Sequence, residues 1–271
     1  MTPLTFVSLN AWGGREWESL GPWLEALVPD ILCLQEVTRA PVPSPDWLTY
    51  DGPPRRIRNR SDLFADVSAI LPTHQGIFAA GARGTMARSD GDPLPSEHGI
   101  ALWVRGDWAI TALRHGFVHG TYRMDGWGPE PVPRAMQLAQ IAVASGREIL
   151  VGHLHGLRVP EGKGDTPDRA AQTRKVVEGL RELRRPAAPL IFGGDFNVLP
   201  ESAMLQALTH EGLIDLVTTQ GHDDTRTSLY TKPVRHADYL FVSPEVAVDA
   251  FSVPANPEVS DHRPLILTAR V

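Results

Sequence analysis

An α/β fold is what the patterning of this chain predicts, and three observations carry the expectation. The first 36 residues read strand, helix, strand, the size of a βαβ unit. Residues 166–195 read as a helix leading into a short apolar strand buried on both faces. Between them, the runs 100–104, 108–113, 137–144 and 148–155 read as strands, with Gly106-Asp107 and Ser145-Gly146 as hairpin turns. No repeat, linker or composition break divides the 271 residues, so one domain over 1–271 is expected.

The first strand is residues 4–10, with Leu4, Phe6 and Ser8 on one face and Thr5, Val7 and Leu9 on the other. Asn10 closes it before Trp12-Gly13-Gly14, which suits a turn former or a neutral group at the edge of a site. Trp17, Leu20, Leu24, Leu27 and Val28 recur at helical spacing until Pro29-Asp30 stops the helix. The next strand, 31–34, runs directly into Gln35-Glu36. Parallel strands would bring Asn10 and Glu36 to one rim. A carboxylate at a buried strand's end is costly unless it is paired or bound to a cation, which favours a metal role for Glu36.

Residues 38–60 carry five prolines and are expected to be an irregular connection. Arg55, Arg56, Arg58 and Arg60 within it suit either a solvated face or a contact with a substrate phosphate. Leu63, Val67, Ile70 and Leu71 read as a helix and 77–80 as a strand, while the Gly-, Ser- and Asp-rich 81–97 is expected to be a mobile loop. The long loop 121–133, with Trp127, has the length of a binding loop.

His153 and His155 share a face of the strand that ends at Gly156. His153 reads as a plain polar strand-end residue, and His155, last before the glycine, as a site residue. Thr166-Pro167 has the residue types of an N-cap and first turn, and Val176, Val177, Leu180 and Leu183 continue that helix's buried stripe. In the strand 190–192 and its exit Gly193-Gly194-Asp195-Phe196-Asn197, the glycines permit close backbone approach. Asp195 and Asn197 would share a side of an extended chain, although a Gly-Asp turn bonded to its own backbone fits equally well. Residues 201–209 look helical, and 237–242 is a strand with Asp238 inside it, where a buried carboxylate needs a partner. Asp261-His262 stands at the entrance of the last strand, 265–269, as a turn or as an acid/base pair.

Composition narrows the function classes. With 42% hydrophobic and 21% charged residues the chain is an ordinary globular one. A net charge of -6 argues against holding long nucleic acid by charge alone, though not against a local basic groove. Cys33 is the only cysteine, so no internal disulfide is available, and its apolar setting is that of a buried strand. No basic region precedes an apolar core at the N-terminus, and no run is long enough to cross a bilayer. A cytoplasmic monomer without membrane insertion is the expectation.

In order the chain shows Ser-Leu-Asn, Leu-Gln-Glu-Val, His-Gly, Gly-Asp-Phe-Asn, Ala-Asp-Tyr-Leu-Phe-Val-Ser and Ser-Asp-His-Arg-Pro-Leu. This succession, from residue 8 to 265, resembles the endonuclease/exonuclease/phosphatase superfamily with its DNase-I-like fold. The resemblance implies a four-layer α/β sandwich, two stacked and mostly antiparallel β-sheets flanked by helices. It also implies hydrolysis of phosphoester bonds, phosphodiesters foremost, by water activated with Mg²⁺ or Mn²⁺. On that reading Glu36 is the principal metal ligand, with Asn10 and Asp261 nearby. Asp195 and Asn197 orient the attacking water and the phosphate. His262, as an imidazolium paired with Asp238, neutralises developing charge, and His155 contacts a phosphate oxygen. Oxygen donors without thiolates suit Mg²⁺ or Mn²⁺ over zinc.

The departures concern substrate. Trp12 stands where AP-endonuclease-like members carry an acidic or amide residue, and Asn-Ala-Trp-Gly is closer to sphingomyelinase-type members. His153 replaces an Asn or small residue. Nucleic acid, nucleotides and small phosphodiesters therefore compete with lipid or small-molecule phosphoesters as substrate. A calcineurin-like dinuclear centre fits less well, because its Gly-His-x-His should come last and its Asp-x-His and Gly-Asn-His are absent. A non-catalytic binding module would be expected to have lost Glu36, Asp195 or His262, and none is lost.

Overall fold

The computed structural model of the chain describes residues 1–41, 43–52, 55–126 and 132–271. Its first half runs β1 (Pro3–Asn10), a one-turn helix (Trp12–Gly14), α1 (Trp17–Leu27), β2 (Ile31–Arg39), β3 (Trp47–Gly52), β4 (Arg55–Arg60) and α2 (Leu63–Ile70). Long hairpin strands follow: β5 (His74–Ala87), β6 (Pro93–Arg105), β7 (Ala109–His119), β8 (Arg134–Ala142) and β9 (Glu148–His155). The remainder is α3 (Pro167–Leu183), β10 (Leu190–Asp195), α4 (Ala203–His210), β11 (Ile214–Asp215), α5 (Leu216–Thr219), β12 (Asp238–Val242), β13 (Ala247–Ser252) and β14 (Leu265–Arg270).

The strands form two sheets, in the orders β13-β14-β1-β2-β6-β5-β3-β4 and β11-β12-β10-β9-β8-β7. Among the strands as described, β1 with β2 and β9 with β10 pair in parallel and the other strand pairs are antiparallel, with one further parallel bridge between Ala82 and Arg123. Period-two alternation explains how the sheets stack. Leu4, Phe6, Ile31 and Cys33 point into the core between the sheets, where they join Ala139, Val151, Ile191 and Leu240. Val7, Leu9, Leu32 and Leu34 point outward and are covered by Leu20 and Leu24 of α1 and by Leu63 and Val67 of α2. On the far side, Val176 and Leu180 of α3 and Met204 and Leu208 of α4 cover the second sheet. Helix, sheet, sheet, helix is the expected layering.

The helix starts follow the sequence. Thr166 accepts from the Arg169 backbone N–H at 3.2 Å, and Asp62 accepts from Ala65 at 2.9 Å. Two expectations fail. Residues 38–60 are not simply irregular: β2 continues to Arg39, and β3 and β4 pair from Trp47↔Arg60 to Gly52↔Arg55. The arginines of β4 serve that edge in part, Arg58 lying 4.0 Å over the Trp47 ring and Arg60 bonded to Asp66. Pro53 and Pro54 lie outside the described residues, as does Trp127 in the long loop.

The segment 81–97 is likewise no loop, because most of it pairs within the β5–β6 hairpin as far as Ala87↔Pro93. Met86 and Leu94 there are buried with Leu48 and Ala40. Small residues hide this from a local reading, since what orders them is a partner strand far along the chain. The short strands β11 and β13 have no counterpart in the sequence reading.

Candidate active site

Register alone assembles the site at one end of both sheets. In the first sheet Asn10 stands opposite Gln35 across the parallel β1–β2 pair. In the second, Asp195 stands opposite His155 on one side and Asp238 on the other. Because β1 and β2 pack against β10, the two rows meet. Gly194 allows the β10 exit, with φ +137° and no room for a Cβ, which would lie 2.1 Å from the Leu154 carbonyl oxygen. Glu36 sits in a bulge between Gln35 and Val37 with φ 55°, so the strand's alternation is broken where this carboxylate turns to the rim.

The side chains form a continuous arc. The Asn10 amide donates to Glu36 Oε1 at 3.3 Å and to Asp195 Oδ2 at 3.0 Å, while its oxygen accepts from the Trp12 backbone N–H at 3.0 Å. Asp195 Oδ2 lies 3.9 Å from His155 Nε2 and 3.7 Å from His262 Nε2. His262 Nε2 lies 3.8 Å from Asp261 Oδ1, and His155 Nε2 lies 4.0 Å from Glu36 Oε1. His262 Nδ1 is 2.8 and 2.9 Å from the two oxygens of Asp238, which Thr225 Oγ1 also reaches at 2.8 Å. All are buried except Glu36, which is partly exposed.

Two arginines decide the charge of the histidines. Arg226 Nη1 bonds His262 Nε2 and sits 3.1 Å from Asp261 Oδ2. A guanidinium only donates, so Nε2 must accept and the ring is neutral, with its proton on Nδ1 toward Asp238. Burial and then the Arg226 charge lower His262 to about 4. Burial also raises Asp238 to about 6. Arg134 Nη1 stands 2.7 Å from His155 Nε2, and burial followed by that charge pushes His155 well below its usual range. The expected His262 imidazolium is thus not the resting state; the permanent positive charge beside it belongs to Arg226. Burial pushes Glu36 up, but His98, His262, Arg134 and the Asn10 amide outweigh it and leave the carboxyl below its ordinary value.

The donor set suits a hard divalent cation. Asp261 Oδ1 is buried and has no hydrogen-bond partner among the described residues, an expensive state that a cation would relieve. Asp195, Asp238 and His262 also offer ligand atoms within 4.8 Å of one another, although Asp238 and His262 already face each other.

All eight expected site residues lie in or beside this arc, with two differences of detail. Asn197 is off the strand, with φ 55°; its backbone N–H donates to Asp195 Oδ1 at 3.0 Å and its amide to the Gly156 carbonyl at 3.4 Å. It meets Asp195 through this turn and not through strand alternation. Asn10 directs its amide at the two carboxylates and its oxygen at backbone, so it bridges Glu36 and Asp195. His153 is no plain strand-end residue. It is fully buried between the sheets, its Nδ1 accepting from Gln35 Nε2 and its Nε2 donating to Gln137 Oε1, both at 3.0 Å.

Sequence reasoning missed Arg134, Arg226, Thr225 and Arg15, which stand in loops or at a strand's first position without a pattern. The Arg15 guanidinium lies 4.3 Å over the Trp12 ring and feels the charges of Glu36 and Asp261.

The profile of the Endonuclease/Exonuclease/phosphatase family matches residues 7–262. An endonuclease/exonuclease/phosphatase from Bacteroides vulgatus superposes with a TM-score of 0.71 at 20% identity, covering 100% of both chains. A mannosyl-6-phosphatase of Bacteroides thetaiotaomicron gives 0.70 at 20% identity, covering 99% of this chain and 100% of its own. These likenesses identify the DNase-I-like fold. A UPF0294 protein of Vibrio cholerae is 26% identical over 141 residues, 52% of this chain; the match spans about half of that relative's length, 46%.

Proposed function

We propose that this chain, which belongs to the endonuclease/exonuclease/phosphatase family, is a divalent-metal-dependent hydrolase that cleaves a phosphoester by in-line attack of water. The observation that carries the reading is the arc itself: Glu36, Asn10, Asp195, His262 and Asp261, each within 4.0 Å of the next. Glu36 and Asp261 would hold Mg²⁺ or Mn²⁺, Asp261 through its unpartnered Oδ1, with Asn10 fixing the Glu36 carboxylate. A cation bound there supplies polarisation of a phosphoryl oxygen.

The rest is done by the chain's own groups. Asp195 is positioned to take a proton from the attacking water, and the Asn197 turn holds the carboxylate through Oδ1. Asp238 fixes the His262 tautomer, and Arg226 and Arg134 present buried positive charge to the phosphate, preorganised for the charge that develops in the transition state.

The test uses p-nitrophenyl phosphate and bis-p-nitrophenyl phosphate as generic esters. Chelation is expected to abolish turnover, and Mg²⁺ or Mn²⁺ to restore it. Glu36→Ala is expected to raise the metal concentration for half-maximal rate by about 10-fold or more while the melting temperature holds, because a ligand is lost at the rim and not in the core. Full turnover by metal-stripped protein in EDTA would refute the mechanism.

A further inference from the structure

The segment between β9 and α3 forms neither helix nor strand, yet it is pinned. Arg169, in the first turn of α3, is 2% exposed and donates to four carbonyls: Leu157 at 3.2 Å, Gly162 at 2.7 Å, Gly164 at 2.6 Å and Asn197 at 3.3 Å. Two of these flank Lys163, and the fourth belongs to the turn that follows Asp195. A buried guanidinium holding so many carbonyls fixes the loop relative to the reactive centre.

Lys163 is half-buried, and its ammonium donates to the carbonyl of His236, two residues before Asp238. The next carbonyl, of Ala237, accepts from the Phe196 and Asn197 backbone N–H groups at 2.8 and 3.2 Å, so Lys163 is anchored to the segment that joins Asp238 to the turn after Asp195. It forms no ion pair among the described residues, so an ammonium with three donors has one of them engaged. Burial brings it down to about 8, still mostly charged at neutral pH. Arg226, by contrast, is engaged by Asp261 and His262.

We propose that Lys163 reads the substrate's charge and selects a terminal phosphate, a phosphomonoester dianion, over an internal phosphodiester. The inference rests on the hydrolase reading above and reverses the expectation of a diester. A diester carries one negative charge and presents an ester carbon where a monoester presents a further charged oxygen. A rigidly held ammonium can hydrogen-bond only the latter, and facing the former it is desolvated without return. In the reaction, water's oxygen bonds to phosphorus, the bond to the leaving oxygen breaks, and the leaving oxygen departs with a proton as an alcohol, yielding inorganic phosphate.

The experiment compares the full chain with Lys163→Met and Lys163→Arg, in Mn²⁺, on p-nitrophenyl phosphate, on bis-p-nitrophenyl phosphate and in calorimetric titration with inorganic phosphate. Lys163→Met is expected to raise the KM for the monoester and the Kd for phosphate by about 10-fold or more, as loss of a charge-assisted contact should. The KM for the diester should fall, because the uncompensated desolvation of the ammonium is removed, and Lys163→Arg should restore most of the monoester loss. Equal losses on both esters, or unchanged phosphate affinity, would overturn the proposal. If wild-type protein cleaves neither ester, the hydrolase reading fails, while the phosphate titration still judges Lys163 by itself.

Discussion

Asp238 and His262 should behave as one unit, and a double-mutant cycle tests it. Both side chains are almost wholly buried, and Nδ1 meets both carboxylate oxygens at 2.8 and 2.9 Å. Asp238→Asn keeps the shape and the Thr225 contact but removes the charge that fixes the tautomer. His262→Ala removes the ring and leaves Arg226 on Asp261. Losing one preorganised electrostatic group costs roughly 10²-fold in turnover, or about 2.7 kcal/mol. If Asp238 acts only through His262, the double variant also loses about 10²-fold, leaving a coupling energy of about 2.7 kcal/mol. Turnover of p-nitrophenyl phosphate under saturating Mn²⁺ is the assay, after melting curves show that each variant folds. Losses that multiply to about 10⁴-fold would mean that the two residues act independently.

The same pair sets a pH dependence. Burial raises Asp238 to about 6, so above that pH it is a carboxylate accepting from Nδ1; as pH falls through about 6 it gains a proton and the acceptor is lost. Turnover is expected to fall on that acid side, and Asp238→Asn should lack the limb; an unchanged limb in that variant would assign it elsewhere. His153→Ala should strand Gln35 Nε2 and Gln137 Oε1 in the core, at a cost of about 2–4 kcal/mol read in denaturant melts. Because Gln35 adjoins the Glu36 bulge, the variant should also bind Mn²⁺ more weakly in titration; wild-type Mn²⁺ affinity would confine His153 to a packing role.

Some of this was written locally in the chain. The alternation of residues 4–9 separated two sets of side chains, of which the fold turns one to the inter-sheet core and the other to the helices, and Thr166 marked where α3 begins. Asn10, Glu36, His155, Asp195 and Asp261 announced themselves as polar residues where apolar strands stop, a signal that needs no partner to be read. The tertiary structure decided what lies across strands and between elements. Ser- and Gly-rich residues 81–97 became part of a hairpin because a neighbouring strand satisfied their backbone, which no local propensity records. Arg134 and Arg226 carried no pattern until folding buried them against His155 and His262; burial and then those charges lower both rings, where an imidazolium was expected of His262. His153 read as a plain polar strand-end residue until two glutamines from other strands closed on it. The loop that carries Lys163 was tied to the turn after Asp195 by Arg169, whose four carbonyl partners come from two separate loops. Backbone periodicity is a property of consecutive residues and survives in the sequence; burial and electrostatic neighbourhood depend on residues far apart in the chain, and exist only once it has folded.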